Sequence, residues 1–454
     1  MSADVIVVGA GVAGASTAFH LSRLGAGDVL VVDRGTVGSG MSSRSSAMIR
    51  MHYTFRPEVE LAVRSDRMFA AWTELTGRPA FVRRTGFARL VLPGEEDALR
   101  ANVAMLRDCG ARAEVLAAGN FAALAPGLRT DDLSEVAWEP DGGYGDGALV
   151  AGDLLAAARE QGVRYRPHTP VRALLRDGDR VTGIETADGP EYAGVVVAAA
   201  GVWSPALLAS IGVDLPIETE FHQVAVLSHA PGQGTPVACI DSTTQTYFRP
   251  EAGGTMTLVG SFTGPRGVDP DRVAPPENPA APRETARENP AAPHQATPPR
   301  PARGAADPNQ ADRGAFCPAG GAKSTTMMAS GDGDGDGDGD GDGDGADGLA
   351  ALVGAAAQRV PALADAGIVR GVTGVYDMTP DGRPMLGELP GLSGLVLAAG
   401  FSGTGFKISP AVGEAVAALV TGHPVAGSVD IGPFRPGRFA EGKPVTPPHP
   451  YTGD

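Results

Sequence analysis

The sequence predicts an α/β fold, and three observations carry the prediction: a short β-branched run at residues 4–8, a glycine-rich turn directly after it, and a second apolar strand ending on an acidic residue at position 33. The run DVIVV suits a buried strand, because β-branched side chains pack well on a pleated surface. In AGASTAFHLSRLG, residues Ala15, Ala18, Phe19 and Leu21 recur at helical spacing. DVLVVD supplies the second strand, so residues 1–33 have the length and order of a strand–helix–strand unit.

The turn between the first strand and the helix carries Gly9, Gly11 and Gly14, a GxGxxG pattern. Gly9 permits the tight turn, Gly11 lets the backbone approach a pyrophosphate, and Gly14 lets the helix pack closely on the sheet. The pyrophosphate belongs at the helix N-terminus, where unpaired N–H groups and the helix dipole favour an anion. Asp33 stands where its carboxylate accepts both hydroxyls of an adenosine ribose. The unit therefore reads as a Rossmann-type dinucleotide site. These residues alone do not separate FAD from NAD.

Farther along, residues 58–77 read as a helix that ends at Gly77, and residues 147–162 as another. A strand-rich stretch covers 163–200, and helix and strand alternate more loosely to about residue 264. The composition then breaks. Residues 266–346 hold Pro-Ala-Arg stretches and an alternating Asp-Gly tract from Gly331 to Gly345, which predicts a disordered insertion with almost nothing able to form a core. The aspartates Asp332 to Asp344 lack the twelfth-position Glu of a calcium loop, so no metal site is expected. Order resumes with the helical DGLAALVGAAAQRVPALADAG, the strand GLVLAAG and the helix SPAVGEAVAALVTG. The Pro-rich tail from about Arg438 is expected to be loose.

Bulk properties narrow the function. At 454 residues and 43% hydrophobic the chain can bury a large core in two or three domains. A net charge of -16 argues against nucleic-acid binding, which needs clustered Lys and Arg. Cys109, Cys239 and Cys317 are odd in number and widely spaced, so no disulfide framework is expected and a reducing cytoplasm fits. The apolar stretch Val5 to Leu21 lacks a basic leader and is broken by glycines, so neither a signal peptide nor a membrane span is expected.

Several segments resemble the D-amino-acid oxidase and sarcosine oxidase family of flavoproteins: SGMSSRSSAMIR after the first unit, GVVVAAAGVWS, GVYDMTPDGRPMLG, and GLVLAAGFSGTGFKISPAVGEAVAAL. PDGGYGDGALVAGDLLAAAREQGV and FHQVAVL are similar to the branch holding sarcosine oxidase and the L-proline dehydrogenase β-subunit. The resemblance implies FAD as cofactor. It also implies two domains: a discontinuous FAD-binding domain of residues 1–78, 144–212 and 366–437, and a substrate domain of 79–143 and 213–365 built on a mainly antiparallel sheet.

It further implies roles. Val12, Arg34, Ser46, Val171 and Gly201 match cofactor-contacting positions, and Gly403, Thr404 and Gly405 match the turn that meets the flavin ring. Thr404 stands where the family often has His. Arg50 and Lys407 match residues that hold a substrate carboxylate, and Tyr247 matches an active-site tyrosine. A guanidinium grips a carboxylate through two parallel hydrogen bonds, and an ammonium adds a second compact charge. The expected reaction is oxidation of a secondary or N-methylated amino acid to an imine by hydride transfer to flavin N5.

Departures from the family pattern qualify this. Arg44 and Gly374 replace residues that link flavin covalently in some relatives, so FAD is expected to be non-covalent. Leu258 replaces a lysine that helps oxygen react, which leaves oxygen or a redox partner as electron acceptor. His52 and His222 read as structural histidines. Two alternatives stay open: a flavoprotein dehydrogenase for a 2-hydroxy acid, and a flavoprotein subunit that depends on a partner subunit.

Overall fold

The computed structural model describes residues 2–273 and 345–452. Val5–Val8 run parallel to Val195–Ala198 on one side and to Val29–Val32 on the other. Val29–Val32 are buried throughout, as a strand with both faces covered must be. The strand Leu392–Ala399 joins parallel beyond Gly189–Ala198, and the antiparallel strands Ala173–Asp177 and Arg180–Thr186 complete that side with Met385–Leu389.

One face of this sheet, through Val5, Val7, Val29 and Val31, packs under the helices Val12–Arg23, Gly147–Glu160 and Gly405–Thr421. The other face, through Ile6, Val8, Leu30 and Val32, packs on Leu174, Ile184, Leu207 and Leu208. The alternation along each strand decides which side chain goes to which layer. Gly405–Thr421 tolerates an internal Pro410 because the carbonyl that the proline leaves unpaired, that of Phe406, accepts from Ser409 Oγ (2.9 Å).

A second eight-stranded sheet runs in the order Gly367–Met378, Glu218–Ser228, Met256–Ser261, Thr246–Glu251, Ala238–Asp241, Phe87–Leu90, Glu135–Glu139 and Glu114–Ala117. Its pairings are antiparallel except between Ala238–Asp241 and Phe87–Leu90. Two sheets with helices make the mixed α/β fold that the sequence predicts.

The helix Gly345–Arg359 lays Leu352 and Ala356 against Leu90, Phe248 and Val259 of this second sheet. It stops at Arg359, ahead of Pro361, since a residue before proline is pushed out of the helical region. The single helix expected over 58–77 is two, Arg56–Ala70 and Trp72–Thr76, closed by Gly77 at φ 70. The break at Ala71 turns Trp72 into the core, where its Nε1 donates to Asp153 Oδ2 (3.1 Å).

The insertion expected over 266–346 falls mainly outside the described residues, with Cys317 and the Asp-Gly tract. Its first residues are described and paired: Arg266 Nε donates to Glu220 Oε2 (2.9 Å). The tail expected to be loose is instead anchored at several points, although Glu441 to Pro444 and Pro448 to Pro450 are exposed. Arg438 is fully buried on Asp381 (2.8 Å), Val445 N–H donates to the same carboxylate (2.8 Å), and Tyr451 is 3% exposed. Prolines restrict the unfolded chain as much as the folded one, so a Pro-rich segment with fixed anchors can pack.

Candidate active site

A cavity of about 690 Å³ opens where the first strand meets its helix. Gly9 sits at φ 105, and a Cβ there would lie 2.3 Å from the Ala199 carbonyl oxygen, while one on Gly14 would lie 1.9 Å from the Gly9 oxygen. Gly9, Gly11 and Val12 line the cavity, whereas Gly14 is outside its lining, between helix and strand. Gly11 caps the helix without a side-chain hydrogen bond, and the first turn holds no acidic residue, so its positive end faces the cavity.

Asp33 lines the cavity with its carboxylate fixed by the Ala10 and Gly35 N–H groups, each at 2.7 Å. Lone pairs remain on both oxygens for hydroxyl donors. Val171 and Gly201 line the same end. Arg34 stacks 4.6 Å over the Trp203 ring and pairs with Asp271 (2.8 Å), which also accepts from Trp203 Nε1 (3.0 Å).

The turn Phe401–Gly405 supplies another part of the lining through Phe401, Gly403 and Gly405. Gly403 sits at φ 78, and a Cβ there would meet the Tyr376 ring at 2.6 Å. The Thr404 hydroxyl donates to the Phe401 carbonyl (2.7 Å), which closes the turn and leaves Thr404 outside the cavity lining. The helix that follows also starts without a side-chain cap or an acid in its first turn. Asp377 braces the wall by accepting from Gly400 N–H (2.7 Å), and burial pushes its carboxyl up to about 6. Two helix N-termini on one cavity, the first with only its Val12 N–H taken up by Ser42 Oγ (3.1 Å), together with a fixed carboxylate in the lining, fit a dinucleotide and its pyrophosphate.

Behind the Gly403 turn lies a cluster of buried charge. Lys407 Nζ donates to the Gly403 carbonyl (3.3 Å), and burial, reinforced by the Arg50 guanidinium, holds its ammonium well below the usual range. Arg50 stacks 4.3 Å over Tyr53, donates through Nη1 to the His52 carbonyl, and keeps a buried Nε with no hydrogen-bond partner. Glu58 supplies the opposite charge. It is fully buried, lies 2.6 Å from Arg383 Nε, and is pushed up to about 7 by burial against the pull of Arg383, Arg50 and Lys407.

Tyr247 is buried with Met48, Phe87 and Leu258, and its hydroxyl meets the Tyr376 and Ser46 side chains. Ser46 is outside the cavity lining, and its carbonyl accepts from Arg249 Nε (2.6 Å). Arg44 and Gly374 both line the cavity, and a Cβ on Gly374 would lie 3.5 Å from that of Arg44. Among the described residues no group of side chains is arranged to hold a metal, and no helix is long and apolar enough to cross a membrane.

The family model described as FAD dependent oxidoreductase (DAO) matches residues 4–419. The chain belongs to this family of FAD dependent oxidoreductases. Among curated proteins it is 25% identical over 427 residues to 4-methylaminobutanoate oxidase (formaldehyde-forming) of Paenarthrobacter nicotinovorans, covering 92% of this chain and 44% of that protein. It is 27% identical over 446 residues to glycine oxidase of Geobacillus kaustophilus, covering 95% of this chain and 96% of that one. Its fold matches the crystal structure of L-proline dehydrogenase from P. horikoshii with a TM-score of 0.74 at 22% identity, covering 98% of this chain and 99% of the other. The chain spans only 30–44% of the length of several curated relatives.

As a DAO-family oxidoreductase the chain uses FAD, and the glycine turn, Asp33 and the two helix N-termini are the parts of this structure that suit it. The structure brings Arg50 and Lys407 into electrostatic reach of each other beside the Gly403 turn. Glu58, Arg383, Glu139 and Tyr376 were not singled out from sequence. Glu58 lies in the first turn of an amphipathic helix, where an acid reads as a favourable end charge on the surface. Only the fold shows that it is buried.

Proposed function

We propose that this chain oxidises a secondary or N-methylated amino acid to an imine, with FAD, held non-covalently, as the group that would accept the hydride from the carbon beside nitrogen. FAD, when bound, supplies the two-electron acceptor chemistry. The chain's own residues bind and orient. The observation that carries this reading is the pair of basic side chains Arg50 and Lys407 beside the flavin-side turn, with an unpaired buried donor on Arg50 and the Glu58 carboxyl facing both. The unpaired Nε donor of Arg50 calls for an anionic acceptor. A substrate carboxylate supplies it, accepts from Arg50, and points the nitrogen end of the amino acid toward the cavity.

Lys407 is held toward its neutral form, so it is suited to take a proton from an arriving substrate ammonium, leaving the amine in the form that can be oxidised. Tyr247, Met48 and Phe87 give the site apolar walls that keep water from the reacting carbon. The DAO-family relative from Paenarthrobacter nicotinovorans is named for an N-methylated amino acid, which supports the substrate class. Thr404 has no part in this scheme beyond the turn. A hydroxy-acid reading wants a histidine base, and His222 is committed to Glu220 (3.1 Å) and the Ser261 carbonyl (3.3 Å).

The test is anaerobic flavin bleaching with sarcosine, L-proline and their methyl esters. At least one of the two acids is expected to bleach the flavin. Arg50→Ala is expected to keep FAD and to raise the half-saturating concentration of that acid by roughly tenfold to a hundredfold, the loss of a hydrogen bond to a charged group. The ester has no carboxylate to lose and should be little affected. Arg50→Lys should recover part of the loss, since an ammonium lacks the planar fork. Equal loss for acid and ester would mean that Arg50 does not read the carboxylate.

A further inference from the structure

We propose that Tyr451, carried back to the core by the anchored segment 438–452, is a positioning residue for Arg50; the inference rests on the carboxylate-binding reading above. The link is short. Arg50 Nη1 donates to the His52 carbonyl. The His52 ring is 3% exposed, and its Nε2 lies 2.8 Å from the Tyr451 hydroxyl. Its other nitrogen lies 3.7 Å from Glu139 Oε1, too long for a hydrogen bond, so Tyr451 makes the hydrogen bond that orients this ring.

The two rings lie nearly parallel, 20° apart with centroids at 5.8 Å, and the Arg89 guanidinium sits 4.9 Å over Tyr451 on its way to the same cluster. Burial, with the charges of Arg89 and Arg50, holds the imidazole neutral. A neutral ring has one donor and one acceptor nitrogen, and turning it away from Tyr451 would leave Nε2, like Nδ1, buried without a partner. On the far side, Glu139 Oε2 accepts from Met51 N–H (2.7 Å), so the backbone between Arg50 and His52 is held from both flanks.

The segment that delivers Tyr451 is itself anchored on each side of it. Asn102 Nδ2 donates to the His449 carbonyl (2.9 Å), and Thr452 N–H donates to Glu95 Oε1 (2.6 Å). Farther back, Arg438 and Val445 hold Asp381, in the turn that carries Arg383 to Glu58. One segment thus braces the clamp at two points, Arg50 through His52 and Glu58 through Arg383. Four prolines, Pro444, Pro447, Pro448 and Pro450, limit how far Tyr451 can swing away.

Tyr451→Phe keeps the ring and its stacking and deletes the hydroxyl. We compare it with the parent and Arg50→Ala, all FAD-loaded, using whichever of sarcosine and L-proline bleaches the flavin faster, together with its methyl ester. The expected result is retained FAD, an unchanged limiting bleaching rate, and a half-saturating acid concentration raised about threefold to tenfold with the ester unaffected. A merely structural role would change acid and ester alike, or neither, and either outcome overturns the proposal. If Arg50→Ala is selective for the acid while Tyr451→Phe is not, positioning fails and the carboxylate reading stands; if neither is selective, both fall. Should Tyr451→Phe not accumulate as folded protein, His52→Gln removes the ring that Tyr451 orients and reads the same acid-to-ester ratio.

Discussion

Glu139 shows how much one buried carboxyl can report. It is fully buried, and burial pushes it up to about 8 from 4.5, against the pull of the Met51 N–H and of Arg50. The folded chain therefore keeps a proton that the unfolded chain releases above about 4.5. With more protons bound in the folded state, the contribution of this group to stability is present at low pH and is lost as pH rises between about 4.5 and about 8. Glu139→Gln keeps an oxygen for the Met51 N–H and removes the ionisation, so its melting temperature should fall less across that window than the parent's. Parallel melting curves for the two proteins would show that Glu139 does not titrate there. Lys407 has the opposite sign: its ammonium is depressed below 10.5, so protonating it opposes folding as pH drops.

At the scale of single elements, the helix Gly345–Arg359 is held by its last residue. Arg359 is 1% exposed, and its Nε lies 2.7 Å from Asp241, itself fully buried, while Nη1 reaches Asp132 at 2.7 Å. Removing one side of a buried pair leaves the other charge without a partner, which costs about 3–5 kcal/mol. Arg359→Met should therefore lower the urea midpoint strongly, and adding Asp241→Asn should recover part of the loss; no recovery would mean that the stranded charge is not the cause.

Elements also mark the limit of what the sequence discloses. The unit at residues 1–33 was legible because its pattern is local: alternation, glycine spacing and a terminal acid lie within one short stretch. The strand Gly367–Met378 was not singled out, because its partner Glu218–Ser228 lies far away in sequence and nothing local encodes the pairing. The same holds at the site. Arg50 and Lys407 were legible through family resemblance, whereas Glu58 and Arg383 meet only once a helix and a distant turn are brought together (2.6 Å). Proline content misled at 438–452, since composition says nothing of anchors such as Arg438 on Asp381.

For the molecule as a whole, the cavity gathers walls from both sheets: Gly9 and Asp33 from the ends of the parallel strands, and Gly374 to Asp377 from the edge strand of the second sheet. A cofactor there touches both, so binding it should stabilise the whole folded unit. Free FAD in hundredfold excess over its dissociation constant adds about 2.7 kcal/mol by mass action, provided the unfolded chain does not bind it. The melting temperature of protein stripped of flavin should thus rise on adding FAD and depend on its concentration. That dependence requires reversible binding, which the family resemblance leads us to expect: Arg44 and Gly374, both in the cavity lining, match positions that link flavin in some relatives, and neither offers a nucleophile. Acid precipitation is accordingly expected to release all the yellow colour into the supernatant. If Asp33 holds the ribose hydroxyls, Asp33→Asn, which removes its charge, should shift the FAD titration of melting temperature to higher concentration without moving the melting temperature of the stripped protein by as much. Flavin that stays with the acid pellet would mean that another side chain makes a covalent bond, and FMN titrating as well as FAD would remove the role given to Asp33.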